Sequence, residues 1–278
     1  LPISSKSFKW WRIPLGLIGA AVLVVGGYVA YVFLTYSRIE DNVSLDVEGT
    51  ADKPARTGEE YTIVTYNIGF GAYTPDFTFF MDEGTESRAR SKESVLTCIN
   101  GTGDVALSFE PDIALFQEVD TDSTRSFHVD QVKLLEEKFS ACDTYDSVFA
   151  SNYHSAYLMY PVTKPHGASN SGLLTESRFD ITSSLRRSFP IAKGFKKILD
   201  LDRCYSVNRI PLSGEQNELV LYNVHLSAYT SDGKIAEEQL RMMVADMQAE
   251  YEKGNFCIAG GDLNKDLSGD AVRYFGTS

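Results

Sequence analysis

Apolar and polar positions alternate in two distinct ways along this chain. From Ile13 to Tyr36 the sequence reads IPLGLIGAAVLVVGGYVAYVFLTY, twenty-four residues without a charge. Beyond Tyr61 the apolar residues come instead in short runs rich in β-branched and aromatic side chains, each bounded by turn formers. Such runs have the length and composition of strands. They are Tyr61–Tyr66, Asp112–Phe116, Glu218–Val224 and Phe256–Ala259. Between them lie stretches of helical periodicity: residues 86–109 with Val95, Leu96, Ile99 and Leu107, then Asp130–Phe139 and Lys234–Glu250. Strands interleaved with helices predict a layered α/β domain.

The uncharged N-terminal run is long enough for a helix to cross a bilayer, which takes roughly 20 residues. Trp10 and Trp11 at one end and Tyr36 at the other sit where interfacial aromatics belong. A cleaved signal peptide would have a shorter apolar region and a small-residue cleavage site. A single transmembrane helix over residues 13–36 is therefore expected. Lys6, Lys9 and Arg12 precede it, and acidic residues crowd its far side, so residues 1–12 are expected in the cytoplasm and all that follows outside. Residues 37–60, acidic and without apolar periodicity, predict a polar tether partly packed on the domain that starts near Tyr61.

Each short run finishes in a residue able to touch metal or phosphate. The first ends in Asn67, the second in Gln117-Glu118, the third in His225 and the fourth in Gly260-Gly-Asp262-Leu-Asn264. Ligands in layered sheets collect at the carboxyl ends of strands. A carboxylate such as Glu118 suits Mg²⁺ or Mn²⁺, which prefer oxygen. A carboxylate such as Asp262 can orient a water or take its proton, and Asn264 can orient a neighbour without adding charge. Alone, Gly-Asp-Leu-Asn reads as an ordinary turn and His225 as a satisfied strand-end histidine. Four strand ends carrying such residues outweigh coincidence.

Composition narrows the partners. The formal charge of -12 disfavours a sequence-independent nucleic-acid binder, whose affinity comes largely from Lys and Arg. It leaves a phosphate-processing enzyme open, because a bound cation inverts the local field. Cys98, Cys142, Cys204 and Cys257 are far apart with no CxxC pair, so zinc spacing is absent.

Thr65-Tyr-Asn67-Ile, Pro111-Asp-Ile-Ala-Leu-Phe-Gln117-Glu118-Val, Asn170-Ser-Gly-Leu-Leu-Thr-Glu-Ser177-Arg-Phe179, Val224-His225-Leu and Gly260-Gly-Asp262-Leu-Asn264 stand in the order of the endonuclease/exonuclease/phosphatase family. From about Tyr61 onward the chain resembles that family. The resemblance implies a four-layer α/β sandwich, with two β-sheets face to face and helices outside. It implies hydrolysis of a phosphoester by an in-line water with Mg²⁺ or Mn²⁺. Carried over by position, Glu118 would be the principal metal ligand and Asn67 its neighbour. Asp262 would position and activate the water, Asn264 would help hold Asp262 and the phosphate, and His225 would stabilise charge on a phosphoryl oxygen. Tyr153, in Ser151-Asn-Tyr-His-Ser155, is the candidate for a tyrosine near the phosphate, with His154 a weaker one. Asn170 is expected to line the cleft. Arg125 reads either as a phosphate contact or as a residue of a solvated turn.

The family's closing Ser-Asp-His, and the aspartate that pairs with that histidine, are not among the fourteen residues after Asn264. With Leu1 as first residue, both ends read as those of a fragment, for which poor stability and little activity are expected. A nuclease-like or general phosphodiesterase activity is the favoured reading. A sphingomyelinase-like phospholipid phosphodiesterase, or an inactive membrane-anchored binding module, is the alternative. Expected partners are the phosphoester, as nucleic acid or phospholipid head group, and the lipid bilayer.

Overall fold

In the strand Ile113–Asp120 successive side chains serve two different cores, as the twofold period of a strand requires. Ile113 and Leu115 face one way, packing with Val148, Phe179, Ile210, Leu219 and Leu221. Ala114 and Phe116 face the other, packing with Val95, Ile99, Leu135 and Phe139. A strand buried on both faces lies inside a stack of layers.

The computed structural model describes residues 10–191, 202–228 and 234–265. The chain divides into two units, Leu1–Ser37 and Arg38–Ser278. The first carries helix α1, Arg12–Leu34. It is long and apolar enough to cross a membrane, with a mean hydropathy of 2.3. Lys6 and Lys9, on which the expected orientation partly rests, lie outside the described residues, as does the stretch leading to Ser278.

The second unit holds two five-stranded sheets. Its strands are β1 (Val43–Leu45), β2 (Glu48–Gly49), β3 (Ile63–Asn67), β4 (Ile113–Asp120), β5 (Asp146–Leu158), β6 (Gly167–Ser177), β7 (Ser183–Ser188), β8 (Cys204–Pro211), β9 (Glu218–His225) and β10 (Phe256–Asp262). One sheet runs β1-β7-β8-β9-β10 and the other β2-β5-β6-β4-β3. Each is antiparallel except for one pair at its edge, β9 with β10 and β3 with β4. Helices α2 (Lys92–Leu107) and α3 (Gln131–Ser140) cover the outer face of the β4 sheet. Helix α4 (Lys234–Glu252) covers the other through Met243, against Tyr205, Tyr222 and Val224. The layers are therefore helix, sheet, sheet, helix: the four-layer α/β sandwich the resemblance implies.

Local chemistry sets the helix starts. The Ser91 side chain accepts from the Ser94 N–H at 3.1 Å, and Asp130 accepts from Lys133 N–H at 3.1 Å. Each satisfies an amide left over by the first turn. The segment expected as a tether is largely structured. Val43–Leu45 pairs with β7, Glu48–Gly49 pairs with β5, and Ala51 N–H donates to the Asp146 carboxylate at 3.0 Å. Its acidic residues hid this, because an edge strand needs little apolar periodicity. All four cysteines are free.

Two polar side chains link the sheets across the space between them. Gln117 Nε2 donates to Asn223 Oδ1 at 2.9 Å, and Asn223 Nδ2 donates to the Leu174 carbonyl at 3.0 Å. Both residues are fully buried, where polar groups need such partners. Gln117 directly precedes Glu118, and Asn223 lies two residues before His225.

Candidate active site

Strands β3 and β4 of one sheet and β9 and β10 of the other end side by side, and residues at or near their carboxyl ends converge. Asn67 closes β3 and Asp262 closes β10. Asn67 Nδ2 donates to Asp262 Oδ2 at 2.7 Å and lies 3.3 Å from Glu118 Oε1. Its Oδ1 accepts from the Gly69 N–H at 3.0 Å, which fixes which way the amide faces. Asn67 thus turns its NH₂ toward two carboxylates and holds them together. That role differs from direct ligation, for which its oxygen would have to face the cation.

Asp262 is oriented at both oxygens. Its Oδ1 accepts from the Asn264 backbone N–H at 2.9 Å, with Asn264 in the left-handed region at φ 48°. The Asn264 side chain is directed elsewhere, donating to the Leu226 carbonyl at 2.9 Å. The aspartate is therefore held by the asparagine's main chain. Gly261, just before it, has φ 145°, and a Cβ there would lie 2.0 Å from the Val224 oxygen. Only glycine lets β10 lie this close to β9.

His225 is the register partner of Asp262 across β9 and β10, with Nε2 at 3.7 Å from Asp262 Oδ2. Burial, followed by the nearby Arg203 and Arg125 guanidinium groups, pushes its pKa well below the ordinary value. The imidazole is neutral at neutral pH. Such a group can meet an anion through an N–H and not as a full charge.

Glu118 is aimed by a β-bulge. The register of β4 against β6 slips between Phe116 and Val119, and Glu118 sits in the slip with φ 56°. A bulge spends one extra residue and re-aims a side chain. On the other side of β6, β5 slips in the same way between Ser151 and Tyr153. Asn152 is the extra residue there.

These side chains line two adjoining spaces. The larger, a cleft of about 600 Å³, is lined by Asn67, Glu118, Arg203, His225, Asp262 and Asn264, among others. The smaller, about 80 Å³, shares Glu118, His225 and Arg203 and adds Arg125, Asn152, Tyr153, His166 and Ser171.

With this geometry in view, the Endonuclease/Exonuclease/phosphatase family matches residues 64–278. The chain belongs to that family. Its members are phosphoester hydrolases and generally use divalent metals. Among solved structures it is similar to an endonuclease/exonuclease/phosphatase from Beutenbergia cavernae (19% identity, TM-score 0.53), covering 75% of this chain and 49% of that one. It is similar to ANGEL2, a 2',3'-cyclic phosphatase (15% identity, TM-score 0.52), covering 84% of this chain and 60% of that one. A family protein from Leptotrichia buccalis is also similar (15% identity, TM-score 0.50), covering 77% of this chain and 70% of that one. At these identities the likeness is one of fold. No curated protein matches in sequence.

The family's cation requirement can be tested against these residues. Among the described residues no cluster of three or more His, Cys, Asp or Glu could hold a metal. Two carboxylates do converge, Glu118 and Asp262 on one amide. One or two carboxylates, completed by water and substrate oxygens, is what Mg²⁺ needs. The donor set fits a hard cation held through Glu118.

Two residues singled out in the sequence stand differently. Arg125 is buried, gripping Asp120 through Nε at 3.0 Å and Nη2 at 2.8 Å, with its guanidinium 4.1 Å from the Phe70 ring centroid. It is not part of a solvated turn. It reaches only the smaller space, its fork already occupied. Asn170 is exposed, lines neither space, and donates from Nδ2 to the Asp122 carbonyl at 2.8 Å. It fastens the turn after β4. His154 pairs with buried Asp202 at 2.6 Å.

Arg203, Asn152, Ser171 and His166 were not anticipated. Arg203 opens β8 with no motif around it. Asn152 and Ser171 lie inside quoted motifs, but simple alternation does not show a bulge.

Proposed function

We propose that this chain is a divalent-metal-dependent phosphodiesterase, nuclease-like or of general specificity, carried by a membrane helix with its catalytic domain outside the cytoplasm. The observation that supports it most is the convergence of Glu118, Asp262 and His225 in one cleft, organised by Asn67. Glu118 would hold Mg²⁺ or Mn²⁺, which when bound neutralises phosphoryl oxygens and steadies the leaving oxygen.

The chain's own groups supply the rest. Asp262, fixed by Asn67 and the Asn264 N–H, is positioned to orient an attacking water and accept its proton. Its fixed orientation removes the cost of organising the base during reaction. Neutral His225 donates a hydrogen bond to a non-bridging phosphoryl oxygen, from a buried site where such a bond is strong. Tyr153 lines the adjoining space on the phosphate side. Arg203 lines both spaces and supplies the positive charge that an anion approaching this acidic protein requires.

The test is turnover of bis(p-nitrophenyl) phosphate, single-stranded DNA and sphingomyelin by the full chain with Mg²⁺, with Mn²⁺ and with EDTA. Metal-dependent cleavage of the first two is expected. Cleavage of sphingomyelin alone would transfer the assignment to a phospholipid phosphodiesterase. No cleavage of any of them would leave a membrane-anchored binding module.

A further inference from the structure

The smaller chamber beside Glu118 has two polar groups in its walls that no described residue satisfies. Asn152 and Ser171 are each 2% exposed. Asn152 Nδ2 and Ser171 Oγ are buried with no hydrogen-bond partner among the described residues. A buried donor without a partner costs about 1–3 kcal/mol, so two in one small chamber is a feature to explain.

The chamber's position has a structural cause. Tyr153 faces Ser171 in the β5–β6 register, so both lie on the same side of the sheet. Asn152, the bulge residue, is turned in beside them, and the opposing bulge turns Glu118 to the same place from β4. Both bulges flank Gly172, where a Cβ would meet the Ala150 oxygen and the Phe149 ring at 2.5 Å. Two unpaired bulges on either side of one strand open the sheet to form the chamber.

Its chemistry is that of an anion receptor. Asn152 and Ser171 offer donors, and Arg203 brings a cation. The charge of Arg125 is balanced by Asp120 behind it. His166 is neutral above about pH 4, chiefly through burial and then Arg125. Glu118, at the mouth, is the one carboxylate among the lining residues, and it is the proposed metal ligand. About 80 Å³ is room enough for one tetrahedral oxyanion.

We propose that the chamber of Asn152, Ser171 and Arg203 is a subsite for a phosphate group that is not cleaved. It would select esters bearing a second phosphate next to the scissile one. For its biological substrate this rests on the hydrolase reading; as an oxyanion site it stands apart from Asn67, Asp262 and Asn264, which do not line it.

The experiment is calorimetric titration of inorganic phosphate into the full chain in detergent with EDTA present. Wild type is expected to bind, and Ser171→Ala and Asn152→Asp to bind at least about tenfold more weakly, the effect of roughly one lost hydrogen bond to a charged group. Ser171→Ala removes a single atom. Asn152→Asp keeps the shape and reverses the electrostatics, and thermal melts verify that both fold. Glu118→Gln is expected to bind phosphate as well as or better than wild type while losing metal-dependent turnover. Absence of binding by wild type, or equal binding by all variants, overturns the subsite even if turnover is normal. Variant-sensitive binding by a wild type that hydrolyses nothing keeps the subsite and removes the hydrolase reading.

Discussion

Gln117 on β4 and Asn223 on β9 meet at 2.9 Å between the two sheets, each fully buried, Gln117 one position before Glu118 and Asn223 two before His225. The pair fixes how far one sheet can slide over the other, since apolar contacts are non-directional and a hydrogen bond is not. Asn223→Leu roughly keeps the length of the side chain but replaces its amide with hydrocarbon, and leaves the Gln117 amide with one partner fewer. A loss of about 3 kcal/mol is expected, the upper part of the range for stranding buried polar groups. Urea denaturation measures it, and a change within about 0.5 kcal/mol, the scatter of neutral surface substitutions, would show the pair to be dispensable.

Adjacent glycines offer a sharper test of the site's geometry. A Cβ on Gly261 would meet the Val224 backbone oxygen at 2.0 Å, whereas one on Gly260 would meet only the Leu115 side-chain tip at 2.7 Å. Backbone cannot give way without shifting β10 along β9, but a leucine methyl can turn aside. Gly261→Ala is expected to lower metal-dependent turnover on the order of a hundredfold by misplacing Asp262. Gly260→Ala should cost under about 3 kcal/mol of stability through overpacking, with the larger part of activity retained. Equal effects from the two substitutions would contradict this account.

Much of this architecture is written locally, and the remainder is not. The runs leading to Asn67, Glu118, His225 and Asp262 are visible because each is apolar and stops abruptly at a polar residue, in β4 and β9, which are buried on both faces, and in the partly exposed edge strands β3 and β10 alike. Helices α2 to α4 show through their period. By contrast, β1 and β2 are edge strands of three and two residues whose pairing is decided by β7 and β5, far along the chain. The bulges at Glu118 and Asn152 depend on a register with β6 that no single strand encodes. This is why Asn152 and Ser171 went unnoticed within motifs already singled out. Arg125 illustrates a third limit. Its charge suggested phosphate, but the carboxylate that claims it, Asp120, is identifiable only once the turn is folded.

Asn67 distinguishes organising a metal site from ligating it. Its NH₂ faces both carboxylates, so Asn67→Ala should release Glu118 and Asp262 without removing either. Metal affinity is expected to fall about 10–100-fold, the usual cost of losing an outer-shell partner. Glu118→Ala should abolish saturable binding altogether. Titration with Mn²⁺ followed by electron paramagnetic resonance distinguishes the two. Comparable behaviour of the two variants would return Asn67 to the role of ligand.

His166 makes stability depend on pH in a defined window. Its Nδ1 donates to the Ser87 carbonyl at 2.7 Å, and it packs against Phe79 and Phe80. Burial first, then Arg125, lower its pKa from 6.5 to about 4. Between these values the unfolded chain binds a proton that the folded chain refuses. Stability is therefore fully present above pH 6.5, falls as pH drops toward 4, and levels off below it. The loss is on the order of 3 kcal/mol for a depression of this size. Glu250, held by Arg209, Lys253 and Asn255 against the penalty of burial, has its pKa lowered to about 2 and acts in a separate window, below its ordinary 4.5. Between pH 7 and pH 5 buried His225 contributes in the same sense as His166, and Glu176, whose pKa burial raises well above the ordinary value, contributes in the opposite one, so the His166 share is read from the difference between wild type and variant in their urea midpoints. His166→Gln is expected to be less stable than wild type at pH 7 but to lose much less between the two pH values. An unchanged difference would mean that the acid sensitivity arises elsewhere in the fold.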